Sequence, residues 1–238
     1  MNNSVRQFKY FDTMMSAFVM ILIVSNIASS AKIVDTGINI LGTRLIFDGG
    51  TLIFPLSYIL GDVLTEVYGF RASRRAIWTG FGLLALASAL FFMLGILPGE
   101  TAWEEATGGG TAYSAILGGM STGGIVLASL AGFFTGEFVN AVMLSRIKVL
   151  MRGKLLFVRT IASTLVGELL DTVIFTSVAI LCGVFPHELF MELVTANYIL
   201  KCSIEIVFTP VTYILAAGLK KTEHCDAFDM NVLYTPFG

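Results

Sequence analysis

Charge is what this chain has little of. Only 13% of its 238 residues are charged, against roughly a quarter in soluble domains. With 55% hydrophobic residues and a mean hydropathy of +0.82, it reads as an integral membrane protein. Cysteine is scarce: Cys182, Cys202 and Cys225 form no CxxC, which argues against a disulfide framework or a zinc site. Both histidines, His187 and His224, lie outside the apolar segments, so soft-metal transport is disfavoured. No Walker motif is present, hence no ATP hydrolysis by this chain. No HExxH helix or nucleophile–base pair appears either. The sequence points to no enzyme, no resident cofactor or metal, and no nucleic-acid partner. A cleavable signal is also missing: the first apolar run is long and leads into no small-residue site, as in a retained span.

What is present is six apolar segments of the length a bilayer crossing requires, about 20 residues. They run about Tyr10–Ala31, Thr51–Val67, Ala76–Leu97, Thr122–Leu144, Val158–Phe185 and Val194–Leu219. The second is short, and Pro210 is expected to kink the sixth, because proline lacks the N–H that bonds one turn back. The expected fold is an all-α polytopic bundle of six transmembrane helices, forming one transporter domain over residues 1–238.

The connections sort by charge. Arg6, Lys9, Arg71, Arg74, Arg75, Arg146, Lys148, Arg152, Lys154, Arg159, Lys220 and Lys221 fall on one side, and only Lys32 and Arg44 on the other. That bias places both termini in the cytoplasm of a cell (inner, cytoplasmic) membrane protein. Of the outer loops, Lys32–Gly50 alternates apolar and polar residues around glycines, which fits a short hairpin or an irregular loop. Gly108-Gly109-Gly110 and Gly118-Gly119 suggest a flexible lid or linker. The tail after Lys221 is polar and expected to be partly disordered, with Phe228 and Tyr234–Phe237 able to dock on the inner surface.

The informative residues are the acids inside the apolar segments, because intramembrane carboxylates are rare and usually mark a substrate or ion path. Asp62 and Glu66 share a helix face near the inner end of the second segment. Glu66 there is also readable as a water-exposed helix end neutralised by Arg74 or Arg75. Glu168 and Asp171 lie about 13–18 Å along the fifth helix from Arg159, near mid-membrane, as a binding pair or as one half of a structural ion pair. Lys201 and Glu205 in the sixth are a polar stripe with Asn197 and Thr209, or a self-contained i,i+4 bridge. Glu137 and Asn140 occupy the inner part of the fourth. Six carboxylates against Lys201, with Arg159 at the edge, suit a cationic or N–H-rich substrate, or protons, and do not suit an anion. A small-solute transporter and a cation or proton-coupled ion transporter both remain open on this count.

Phe54-Pro55-Leu56-Ser57-Tyr58, then Asp62, Thr65-Glu66-Val67-Tyr68-Gly69 and Arg71, Arg74-Arg75, resembles the signature of the queuosine precursor transporter family. The likeness continues through Arg159, Ser163-Thr164, Gly167-Glu168 and Asp171, and through Lys201, Glu205 and Thr209-Pro210. It covers almost the whole chain; the outer loop between the third and fourth segments and the tail look less family-like. The resemblance implies import of 7-deazaguanine bases, such as 7-cyano- or 7-aminomethyl-7-deazaguanine, for tRNA modification. A guanine-like edge offers two parallel N–H donors that one carboxylate accepts as a fork. Under this reading Glu168 and Asp171 meet the donor edge, while Lys201 and Glu205 orient the carbonyl side. Asp62 and Glu66, with Arg74, Arg75 and Arg159, form an inner gate or second anchor, and Glu137 and Asn140 complete the site. Tyr58, Phe133 and Phe208 are candidates to stack on the base. The partners are a small-molecule substrate and the bilayer, and a homo-oligomer is compatible with the sequence.

Overall fold

The computed structural model describes residues 8–40, 43–121 and 123–237, and the side chains of 38–40 and 43–45 are left out of account. Arg6, and Thr122 at the start of the fourth expected segment, lie outside the described residues, as does the side chain of Arg44. Eight helices follow in chain order: α1 Phe11–Ala31, α2 Pro55–Tyr68, α3 Phe70–Gly95, α4 Thr101–Thr107, α5 Gly109–Ser121, α6 Gly124–Leu150, α7 Leu156–Leu181 and α8 Phe190–Glu223. Strands β1 Ile33–Ile40 and β2 Thr43–Asp48 connect α1 to α2.

Among the described residues five stretches are long and apolar enough to cross a membrane: α1, α3, the α5–α6 run, α7 and α8 with the turn before it. The remaining expected span differs. Helix α2 has 14 residues, about 21 Å of rise, short of the roughly 30 Å of a hydrocarbon core. Its surroundings explain why that suffices. From Gly61 to Tyr68 every side of α2 is buried, against α1, α3, α6 and α8. A helix enclosed by protein has no lipid thickness to match. Pro55 sits at its first turn, where a missing N–H costs nothing. Gly69, at φ +86°, joins α2 to α3 without a loop, a backbone angle that glycine adopts without strain.

One face of the molecule gathers the start of α1 and the ends of α2 and α8. Lys9 and Tyr10 N–H groups, before α1, donate to Glu223 at the end of α8 at 3.0 and 2.6 Å. Tyr68 at the end of α2 reaches the same carboxylate at 3.1 Å. The start of α1 and the end of α8 therefore share one face of the molecule. The tail extends over that face rather than lying loose. Asp229 accepts from Phe70 N–H at 2.8 Å and from the Ser145 hydroxyl at 2.6 Å. Arg146 stacks on Tyr234, and Trp78 donates to Pro236 O at 2.9 Å.

On the opposite face β1 and β2 pair antiparallel, Ile33 with Asp48 and Ile40 with Thr43, with a register shift between Asp35 and Asn39. The Lys32–Gly50 loop is thus a hairpin, and strands stand beside the helical bundle. The glycine-rich segment is helical too, as α4 and α5, with α5 packed on α1 and α3. Gly108 ends α4 in the left-handed region. Glu100 caps α4 through the N–H groups of Trp103 and Ala102, and those bonds hold its carboxyl below the ordinary value.

Candidate functional site

The polar path is written on α7. Arg159, Ser163, Gly167 and Asp171 recur every four residues, and Thr160, Thr164, Glu168, Thr172 and Thr176 run beside them. All are buried. From Arg159 to Thr176 this double stripe spans about 26 Å, most of a bilayer core. Helix α6 presses against it through glycines. A Cβ at Gly132 would come 2.8 Å from Asp171 O, and one at Gly136 2.9 Å from Gly167 O. Such small-residue seams let two membrane helices approach backbone to backbone.

At the middle of the stripe the Lys201 ammonium lies 2.5 Å from Asp171 Oδ2 and 3.2 Å from Glu168 Oε2. It also sits 4.4 Å from the centre of the Phe54 ring. This overturns the local reading of Lys201 and Glu205 as a self-contained bridge. Glu205 instead accepts from the Thr164 hydroxyl at 2.6 Å. The i,i+4 spacing brings the two side chains near, but Asp171 and Glu168 arrive from the facing helix with better geometry. Asp62 accepts from Asn140 Nδ2 at 2.8 Å. Glu137 is fully buried, neither of its carboxyl oxygens has a hydrogen-bond partner among the described residues, and it lies against the backbone of α2, where a Cβ at Gly61 would come within 2.7 Å.

Glu66 closes the inner end. Arg159 donates to it through both terminal nitrogens, at 2.5 and 3.1 Å, and Lys220 Nζ lies at 2.6 Å. Lys148 stands 3.5 Å from the same carboxylate and 2.6 Å from Glu66 O. Asp226 of the tail then joins both lysines, at 2.5 and 2.9 Å. Partial burial pushes the Asp226 carboxyl up, but hydrogen bonds and charge from the two lysines outweigh it and hold it below the ordinary 3.8. The expected pairing of Glu66 with Arg74 or Arg75 does not form. Arg74 donates to Thr235 O, and Arg75 meets Asp12 at 3.7 Å, both well exposed. They emanate from α3 and are held by the tail and by Asp12 of α1. Arg159, placed only at the edge by its sequence position, is the partner instead.

Three clefts follow the stripe. The outer one, about 470 Å³ including space open to solvent, is lined by Asp48, Phe54, Asp171, Phe175, Asn197 and Lys201 among others. The middle one, about 290 Å³, contains Asp62, Thr160, Thr164, Glu205 and Thr209. The inner one, about 540 Å³, opens beside Glu66, Arg159, Tyr213 and Lys220. The Glu66–Arg159 pair lines the inner one. Of the expected stacking rings, Tyr58 is in the site, beside Gly136 and Gly167. Phe133 packs on Phe18 instead, and Phe208 is exposed. Phe54 and Phe175 line the outer cleft, and sequence periodicity alone carried no signal for them. Among the described residues no three His, Cys, Asp or Glu side chains converge as metal ligands.

A family model described as "Putative vitamin uptake transporter" matches residues 48–215 of this chain. The chain belongs to that family. A "Probable queuosine precursor transporter" from Bacillus subtilis (strain 168) is 30% identical over 165 residues, 69% of each chain. No solved structure matches it. Both descriptions are of transporters rather than enzymes, and with the five long apolar helices they make this a multi-pass membrane protein. The family match takes in every carboxylate and cation of the central group and the Glu66–Arg159 pair. Helix α1, Lys220 and the docked tail lie outside it.

Proposed function

We propose that this protein imports 7-deazaguanine precursors of queuosine across the cytoplasmic membrane, as a single domain of six membrane helices counting the short α2, with both termini in the cytoplasm. The observation that carries the reading is the Asp171–Lys201 pair at the floor of the outer cleft. A deazaguanine edge is donor and acceptor at once. Its N1–H and amino group bond to Asp171 as a fork while its carbonyl oxygen takes the Lys201 ammonium. The substrate thus replaces each ion's partner as it separates the pair, and no charge is left bare, which is the condition for opening a buried pair cheaply. Phe54 and Phe175 give the flat ring apolar faces to rest on, and Asn197 adds a polar contact at the rim. Glu168 balances Lys201 as Asp171 turns to the base.

Beyond the pair, Thr164, Glu205, Asp62 and Asn140 offer the next polar stations in the middle cleft. Glu66, clamped by Arg159, Lys148 and Lys220, acts as the inner gate. The side carrying the bases is the cytoplasmic one by the positive-inside bias, so the outer cleft faces the substrate supply. The test is queuosine content of tRNA in a cell that cannot make the precursor, grown at low external precursor with and without this protein. Dependence of queuosine on the protein supports the reading. Unchanged queuosine without it, with loss of a divalent-cation flux instead, overturns it.

A further inference from the structure

Asp48 ends β2 and lines the outer cleft with Asp171 and Lys201, yet the contacts to the base leave it without a task. It opens the short turn Gly49–Leu52 and caps it through Thr51 N–H. Its carboxylate takes three neutral donors. Oδ1 accepts from the Ser29 hydroxyl of α1 at 2.5 Å and from Thr51 N–H at 3.1 Å, and Oδ2 accepts from the Thr51 hydroxyl at 2.9 Å. Gly50 makes this seat possible: a Cβ there would come 2.0 Å from Ser29 Oγ and 2.3 Å from Ser25 O. The end of β2 is thus pressed against α1, and the carboxylate is oriented before any ligand arrives. A carboxylate accepts about four hydrogen bonds, so one place, on Oδ2, stays open. Capping alone does not require the charge, since Asn caps a turn about as well as Asp.

Charge is out of balance around it. Lys201 is the one cation among the residues lining the cleft, and Asp171 and Glu168 already engage it, at 2.5 and 3.2 Å. The field of Asp48 reaches Lys201 as well, but among the described residues Asp48 has only its three neutral donors and no cation of its own. Thr172, on α7, is a second open group in the same cleft. It is buried, and its Oγ1 has no hydrogen-bond partner among the described residues. A cleft with a spare anion and a spare hydroxyl suits a ligand that brings positive charge and N–H groups.

The shape of the base sets where that charge falls. In a 7-deazaguanine the carbonyl oxygen and the substituent on C7 share one edge of the bicyclic ring, apart from the edge that carries N1–H and the amino group. A base that gives its donor edge to Asp171 and its carbonyl to Lys201 therefore points the substituent past the ammonium, along the Lys201 side of the cleft. A neutral substituent needs no partner there. A cationic one does, because it stands beside Lys201, and two cations repel unless an anion offsets them. We propose that Asp48 is the specificity-determining residue of the outer cleft: it pairs with a cationic 7-substituent and so favours a 7-aminomethyl base over one with a neutral group at that position. The open place on Oδ2 takes one N–H of the substrate ammonium, and the Thr172 hydroxyl is a further acceptor in the cleft. The contact is ionic, and no proton or electron changes hands.

This inference rests on the deazaguanine reading for its substrate, and the experiment separates the two. The full-length protein is reconstituted in vesicles with the membrane potential clamped at zero. Initial uptake of labelled 7-aminomethyl- and 7-cyano-7-deazaguanine is measured for wild type and for Asp48→Asn, which keeps the cap and removes the charge. The ratio of aminomethyl to cyano uptake efficiency is expected to fall at least about tenfold in the variant, as one charge-assisted contact is lost. A purely structural Asp48 lowers uptake of both bases in proportion, so an unchanged ratio overturns the proposal. Should the variant not insert, wild type decides, with 7-hydroxymethyl-7-deazaguanine as the neutral isostere. A preference of about tenfold or more for the aminomethyl base supports the proposal, and equal efficiency overturns it. Wild-type transport of the cyano base with none of the aminomethyl base overturns it too and leaves the deazaguanine reading standing. Should wild type carry neither base, the deazaguanine reading fails and the role of Asp48 falls with it.

Discussion

Glu66 is unexposed and holds Arg159 bidentately, with Lys148 and Lys220 around it. Removing that carboxylate leaves the buried Arg159 without its anion, while Lys148 and Lys220 keep only the half-exposed Asp226. Glu66→Gln is therefore expected to cost about 3–5 kcal/mol, read as a lower melting temperature in detergent and reduced yield. Asp171→Asn acts differently. The amide keeps the shape but loses the charge-assisted fork, worth about 1.5–3 kcal/mol. Uptake of labelled deazaguanine should fall at least about tenfold while membrane insertion is unchanged; normal uptake would remove Asp171 from the site. These acids were legible in the sequence because a carboxylate in an apolar run stands out without any knowledge of packing. Their partners were not. Local spacing favoured Lys201 with Glu205 and Glu66 with Arg74 or Arg75, whereas the observed partner of Glu66 is 93 residues away.

Elements explain that failure. Helix α7 brings Arg159, Glu168 and Asp171 to the bundle interior because α6 approaches it through Gly132 and Gly136, facing Gly167. Any side chain at Gly136 meets the Tyr58 hydroxyl, Asp171 Cβ and the Gly167 carbonyl. Gly136→Leu is expected to force the helices apart, lowering stability and abolishing uptake together. Gly82 on α3 has nothing within 4 Å of a new Cβ. Gly82→Ala should leave uptake intact and stabilise the helix by up to about 1 kcal/mol, so the pair of variants distinguishes a packing seam from an ordinary helical glycine. Helix α2 shows the same dependence on neighbours. Its composition reads as a span, but its length is that of a buried core helix, and only enclosure by four others reconciles the two.

For the whole molecule, the docked tail ties together the face shared by the start of α1 and the end of α8. Asp226 ties the tail to Lys148 and Lys220, with its carboxyl held below the ordinary value. A depressed carboxylate stabilises docking above its unfolded value, near pH 4, and the contribution is lost as pH falls through the lower folded value. Trp78, bonded to Pro236 O and touching Phe237, reports this. In a Trp103→Phe background its emission should stay constant from neutral pH down to about pH 4 and shift below it, and should be shifted at every pH in Asp226→Asn. A reporter fused to the C-terminus is expected to be active in the cytoplasm; activity on the outer side would reverse the orientation. By itself the sequence determined membrane residence, the rough positions of the five long apolar helices, the charge bias of the loops and the acids that stand inside apolar segments. Each of these follows from local composition, which hydration energy reads one segment at a time. Tertiary structure decided which acid meets which cation, which stays unpartnered, and why α2 can be short. Those depend on distances between helices, set by glycine contacts and enclosure that no single segment contains.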